Sequence, residues 1–229
     1  MNKIIRSVAE FLFPKSCIFC GKVGVGICER CFMNNINLNT DKYCHVCKSK
    51  ISIDSDDMVH DWCRPQTYLD GVIVCAHYDK NIEKIIADIK YNGFFAYAQD
   101  VSEMMLFHKS EILKLYIDLL VPIPIHRKRE WSRGFNQTEK IAASLSDMVN
   151  INYKNIIKRD RNTETQVGKE REERLKNVRE AFSIEEDENI SQYQRIMLVD
   201  DVMTTGATLE ECAKLLKSNG IQKVYAIVL

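Results

Sequence analysis

The sequence predicts an α/β protein, a parallel-sheet core with helices on both faces, preceded by a small Cys-rich segment. Three observations carry that prediction. Short apolar runs at 71–76, 118–124 and 196–199 are β-branched and bounded by turn residues, as buried parallel strands are. Stretches with helical apolar spacing lie between them. Seven of the nine cysteines fall within the first 63 residues, mostly as closely spaced pairs.

The chain has 229 residues and is 45% hydrophobic, enough for one sheet-based domain and a smaller one. The boundary is placed near Arg64-Pro65-Gln66, dividing the chain into 1–64 and 65–229. Formal net charge is +0, which excludes a protein that chiefly coats nucleic acid; any such contact must come from local patches. No stretch approaches the ~20 apolar residues of a membrane span. Residues 1–14 place Ile4, Ile5, Val8, Phe11 and Leu12 among Arg6, Ser7 and Glu10, an amphipathic helix rather than a secretory signal. A cytoplasmic protein is therefore expected.

The cysteines form knuckles: Cys17-x-x-Cys20, Cys28-x-x-Cys31, Cys44-x-x-Cys47 and His60-x-x-Cys63. Eight ligands suffice for two closed tetrahedral zinc sites, and a disulfide framework would need an oxidising compartment. Sequential ligation puts Cys17, Cys20, Cys28 and Cys31 on one zinc and Cys44, Cys47, His60 and Cys63 on the other. A crossed arrangement has the same spacing, and His60 is either a ligand or the mark of a degenerate site. Such sites fold a segment too small to fold alone. Cys75 and Cys212 have no paired neighbour and read as core.

After the first strand, residues 81–90 carry Ile82, Ile85, Ile86 and Ile89 on one helical face, and 96–108 continue with a second helix. Lys90 either approaches a ligand or complements a helix C-terminus. The run Leu119-Leu120-Val121-Pro122 then empties into a basic loop, Arg127-Lys128-Arg129, placed to meet an anion. Trp131 and Phe135 either stack on a base or, as expected here, pin that loop to the body. Arg133, Asn136 and Gln137, candidate substrate contacts, also lead into a helix with Ile141, Ala142, Leu145 and Met148 on one face, Asn136 being a natural N-cap. The alternating charges of 169–179 suggest an exposed helix face.

The last motif is the most specific. The buried strand Ile196-Met197-Leu198-Val199 ends in Asp200-Asp201, followed by Thr204-Thr205-Gly206-Ala207-Thr208 and a helix. Ligands of open α/β sheets bind off the carboxyl ends of strands, and a Gly-containing loop opening a helix aims backbone N–H groups at an anion. Carboxylates suit a diol and Thr hydroxyls suit a phosphate, so the run describes a phosphosugar site.

This pattern resembles the phosphoribosyl pyrophosphate (PRPP) loop of type I phosphoribosyltransferases. The resemblance implies that Asp200 and Asp201 hold the ribose hydroxyls, directly or through magnesium, while residues 204–208 cradle the 5′-phosphate. Val121-Pro122-Ile123-Pro124 with the basic run and Arg133-Gly134-Phe135-Asn136-Gln137 is similar to the ComF/ComFC family, as is the block Thr165-Gln166 through Arg174. Those chains join a double zinc-ribbon-like domain to a type I phosphoribosyltransferase domain. The resemblance implies pyrophosphate at Arg127, Lys128 and Arg129, a mobile substrate loop around Gln166 and Arg174, and work in DNA uptake. It also implies single-stranded DNA or a competence helicase or translocase as partners.

Overall fold

The computed structural model describes residues 15–91, 96–161, 181–186 and 188–229. The amphipathic helix at 1–14, the block at 163–174 with Gln166 and Arg174, and the charged stretch at 169–179 lie outside them.

The core is a four-stranded parallel sheet of β3 (Gly71–Val74), β4 (Leu119–Pro122), β7 (Arg195–Val199) and β8 (Lys223–Val228), in the order β3-β8-β7-β4. These strands are short and apolar on both faces, which is why their sequences run hydrophobic without alternation. One face carries Ile73, Leu120, Met197, Val199 and Ile227. Against it pack α2 (Lys80–Tyr91) through Ile82, Ile85 and Ile89, α3 (Ala96–Leu106), the short α4 (Lys109–Lys114) and α6 (Gln137–Val149). On α6 the buried stripe is Ile141, Ala142, Leu145 and Val149, so Val149 takes the place expected of Met148. The other face carries Val72, Leu119, Val121, Ile196 and Leu198. It is covered by α7 (Ala207–Ser218) and by the antiparallel pair β5 (Ile157–Arg159) and β6 (Phe182–Ile184).

The N-terminal segment adds little regular structure: α1 (Glu29–Asn35), the two-residue strands β1 (Lys42–Tyr43) and β2 (Lys50–Ile51), and a 3-10 helix, Asp61–Gln66. It docks on α2 and α3 through Ile18, Phe19, Ile27 and Phe32. It also extends the sheet, because Leu38 bridges Ala76 and Asn39 donates from its backbone to Cys75 O at 2.9 Å and from its amide to Val74 O at 2.9 Å. Cys75 and Cys212 are both fully buried. Among the described residues no helix is long and apolar enough to cross a membrane.

Candidate active site at the carboxyl edge of the sheet

The backbone N–H of Asp200 donates to Ile227 O at 3.1 Å, holding the residue in line one step beyond β7. Its Oδ1 then accepts the Asp201 N–H at 2.8 Å and turns the chain. The Asp201 side chain is buried. Its Oδ2 accepts Lys90 Nζ at 2.8 Å and Gln137 Nε2 at 3.2 Å, and Gln137 Oε1 accepts from an Arg133 guanidinium nitrogen at 3.2 Å. The fold thus brings Arg133 and Gln137 to the acidic pair, and places Lys90 in contact with it. Lys90 could be found from sequence only as the last cation of its helix. Burial, then the charge of Asp201, pushes the Asp200 carboxyl up to about 8, against the pull of the Asp201 N–H, Lys90 and Arg159. A cation or a hydrogen-bond-donating diol at this edge would favour its ionised form.

Beyond the pair, the loop runs beside a small concavity bounded by Asp200 and by residues 202–209. Gly206 caps α7 with φ of +78°, a left-handed conformation that is cheap for glycine and strained for other residues. Thr205 Oγ1 accepts the Ala207 N–H at 3.4 Å. The positive end of a twelve-residue helix therefore faces the concavity, with Thr204 exposed and Thr205 and Thr208 half-buried at its rim.

The second cationic element differs from its expected form. Arg127, Lys128 and Arg129 are not a loop but the first turn of a helix, α5 (Arg127–Arg133). His126 Nδ1 accepts the Lys128 N–H at 3.2 Å as the N-cap, and Gly134 at φ +79° ends the helix. Good helix formers between a cap and a left-handed glycine explain the change. Trp131 is 91% exposed and pins nothing; its position on the outer face of α5 accounts for that. Phe135 is buried and does anchor the segment. Asn136 caps α6 by accepting the Thr138 N–H, and the Asn136 amide and the Thr138 hydroxyl both bond to Ile123 O, at 3.2 and 2.6 Å. Arg127 and Lys128 are exposed, whereas Arg129 is half-buried. Burial, then Arg129, lowers the Arg159 guanidinium from its ordinary value, with Cys212 and Asp200 acting the other way; this cation at the end of β5 sits over the Phe182 ring, 5.4 Å from its centroid. Sequence inspection missed Arg159, although its run of apolar residues ending in cations repeats the pattern after β4.

Residues 132–229 match the model of the phosphoribosyl transferase domain. The chain is 30% identical to the DNA utilization protein YhgH of Escherichia coli over 67% of this chain and 68% of that one. It is 29% identical to competence protein F of Haemophilus influenzae over 93% and 95%. The chain belongs to the ComF/ComFC family. Competence protein ComFC of Bacillus subtilis is 31% identical over 62% of this chain and 56% of that one. The sheet, the Asp pair and the capped loop are thus a type I phosphoribosyltransferase fold.

The N-terminal cysteines gather in two sets, Cys17, Cys20, Cys28 and Cys31, and Cys44, Cys47, His60 and Cys63, with the donor atoms of each set within 4.8 Å of one another. The grouping is sequential rather than crossed. A tetrahedral zinc with ~2.3 Å bonds to sulfur needs sulfurs ~3.8 Å apart. Cys20 and Cys28 Sγ are 3.7 Å apart, and His60 Nδ1 lies 3.3 Å from Cys47 Sγ, so both sets have the donors and the spacing to hold a zinc ion. Burial pushes the Cys17 thiol up, but the backbone amides of Cys28, Cys20 and Phe19 outweigh it and bring it down to about 6. Backbone donation at Ser49 brings Cys47 to about 7. Burial pushes Cys31 up to about 12 and Cys63 up to about 11, so each set pairs a lowered thiol with a raised one.

Proposed function

We propose that this protein is a magnesium-dependent phosphoribosyltransferase that uses PRPP. The observation that carries the proposal is the paired placement of Asp200-Asp201 and a Gly206-capped helix at one sheet edge. In this reading Asp200 and Asp201 hold the ribose hydroxyls, with magnesium held at the same carboxylates and the substrate to neutralise departing phosphate charge. Residues Thr204, Thr205, Gly206, Ala207 and Thr208 take the 5′-phosphate. Arg127, Lys128 and Arg129 take the pyrophosphate, with Arg159 adding positive charge on the Asp200 side. Arg133, Asn136 and Gln137 position these groups, and Gln166 and Arg174 belong to a substrate-covering loop.

The chemistry needs no protein nucleophile. The C1–O bond to pyrophosphate breaks, and the pyrophosphate leaves with the electron pair. The acceptor's nitrogen lone pair forms the new bond at C1, and its proton passes to solvent. The protein contributes position and charge: Lys90 and Gln137 hold Asp201 rigid, and the acidic pair faces the developing positive charge.

The division at residue 64, with residues 1–64 built on two structural zinc ions, is part of the proposal. So is a cytoplasmic setting, where thiols stay reduced. Work in DNA uptake is also part of the proposal, supported by relatives named for competence and for DNA utilization. A second reading has the domain sense PRPP without turnover while the zinc segment binds single-stranded DNA or a competence helicase or translocase. It is favoured by Trp62, 69% exposed and stacked on His60 at 4.4 Å, a platform suited to a nucleic-acid base.

Calorimetry with PRPP and magnesium tests the site. Binding is expected for the native chain and is expected to vanish in Asp200→Ala/Asp201→Ala while zinc content stays unchanged; retained binding overturns the assignment. Pyrophosphate release with a panel of nitrogen acceptors separates the enzyme from the sensor.

A further inference from the structure

Glu210 closes the first turn of α7, its N–H donating at 2.9 Å to the O of Gly206, the cap residue of the Thr204–Thr208 loop. Its carboxylate is taken up by residues outside the helix. Oε2 accepts the Tyr68 N–H at 2.9 Å, Oε1 accepts the Thr67 hydroxyl, and His45 Nε2 lies 3.4 Å from Oε1. Having given its proton to Glu210, Thr67 Oγ1 accepts from His45 Nε2 at 2.8 Å and from the Leu69 N–H at 3.0 Å. The His45 side chain is 7% exposed, so the cluster is shielded and its bonds to the carboxylate are charge-assisted.

These partners come from both knuckles of the second Cys set. His45 sits between Cys44 and Cys47, and Thr67 and Tyr68 directly follow the 3-10 helix that carries Cys63. The far end of α7 is held otherwise. Lys217 Nζ pairs with Asp70 Oδ2 at 2.6 Å, and Asp70 in turn accepts the Val224 N–H at 2.9 Å and pairs with Lys223, both on β8. By its charged side chains the helix is thus tied to the sheet at its C-terminal end and to the second Cys set at its N-terminal end. The first Cys set docks on α2 and α3 instead, through Ile18, Phe19 and Ile27.

We propose that Glu210 is a positioning residue that couples the second Cys set to the phosphate loop: a metal that closes this set also holds the first turn of α7 in the geometry an anion needs. The coupling rests on the contacts above, and its consequence for PRPP rests on the phosphoribosyltransferase reading. A closed knuckle fixes the stations of His45 and of the chain after Cys63, and these fix the carboxylate. With the knuckle open, the donors to Glu210 lose their stations and the turn loosens. Its ordering is then left to the bound anion, which weakens binding.

The test is a double-mutant cycle in the zinc-loaded full-length protein, read by hydrogen exchange at the amides of 210–212, which close that turn. Cys47→Ala removes an exposed donor of the second set, and zinc content reports the loss of one ion. Glu210→Ala cuts the link with both ions retained. Cys20→Ala, which removes an exposed donor of the first set, is the control. Cys47→Ala and Glu210→Ala are each expected to speed exchange roughly 5-fold or more, the double variant no more than either alone, and Cys20→Ala not at all. PRPP affinity, by calorimetry with magnesium, is expected to fall by a similar factor in the first two variants and to stay native in Cys20→Ala. A native second set that holds no zinc, native exchange or native PRPP affinity in Cys47→Ala, effects that add in the double variant, or an equal effect of Cys20→Ala overturns the proposal. A cycle that closes as expected in a protein that fails to bind PRPP leaves the coupling assigned and refutes the transferase reading instead.

Discussion

The two ends of this molecule reach a fixed structure by opposite means. From β3 onward, four strands bury apolar residues on both faces, and positions such as Leu120, Ile196, Met197 and Leu198 are wholly inaccessible. The N-terminal segment has no comparable interior. Its own apolar clusters are Cys17, Cys28 and Cys31 in one and Cys44, Val59 and Cys63 in another, so sulfur stands where leucine would. Its strands are two residues long. The sheet is stabilised by removing apolar area from water, while the segment has two donor sets able to hold a metal and its dock against α2 and α3. The difference teaches that the carboxyl edge of the sheet is bordered by a segment whose shape is set separately.

Chelation gives the largest expected effect. Structural zinc in small domains supplies apparent binding energies of about 10–16 kcal/mol, and that energy is folding energy. Stripping metal, or Cys44→Ser with loss of one zinc, is expected to expose the amides of 15–64 to hydrogen exchange while those of β7 and β8 stay protected. Mass-resolved hydrogen exchange checks this. If β7 and β8 lose protection with the segment, the two regions are a single cooperative unit and the contrast fails.

A smaller change probes the junction. Ile27 N–H donates to Asp100 Oδ1 at 3.0 Å, Tyr97 Oη donates to Ser16 O at 3.0 Å, and Lys84 Nζ donates to Ile18 O at 2.7 Å. Gly26 lies against this seam: a Cβ there would overlap the Asp100 carboxylate and stand 2.9 Å from Tyr97 Cδ1. Gly26→Ala is expected to cost about 1–3 kcal/mol in urea unfolding, as overpacking does elsewhere, with zinc content unchanged. A neutral outcome would mean that the dock is loose and that metal alone orders the segment.

Much of this was legible in the sequence because the signals are local. Val121-Pro122, Leu198-Val199 and their turn residues mark buried strands by composition alone. Each knuckle holds its ligands within three residues, so donor identity needed no fold. What escaped depends on distance along the chain. Lys90 meets Asp201 only because α2 ends over the carboxyl edge, and Arg159 feels the charges of Arg129 and Asp200 only because β5 lies beside the sheet. His45 reads as a spacer inside a knuckle until Thr67 and Glu210 are brought to it. Trp131 shows the reverse error: a large aromatic suggests burial, yet the cap at His126 and Gly134 winds its segment into a helix that turns the ring outward. Pairings across more than about ten residues are set by packing and leave little trace in local pattern.

The smallest expected effect lies at the sheet's functional edge, where the self-sufficient region gives up stability. Asp200 has its carboxyl pushed up to about 8, by burial first and then by Asp201, against ~3.9 in an unfolded chain. Between those values the native state binds more protons than the unfolded one, so stability falls as pH rises through that window. The contribution is fully present below ~pH 4 and is gone above the folded value. Asp200→Asn removes the charge and keeps the shape, so its melting temperature is expected to match that of the native chain near pH 4 and to exceed it increasingly up to pH 8. Because Asp200 is only half-buried, solvent screening limits the gain to about 1 kcal/mol. Melting curves from pH 4 to 9 read it directly. Parallel curves would show that the acidic pair ionises without cost. Curves that diverge, and converge again when PRPP and magnesium are added, would show that a ligand at this edge restores the stability that the empty pair gives up.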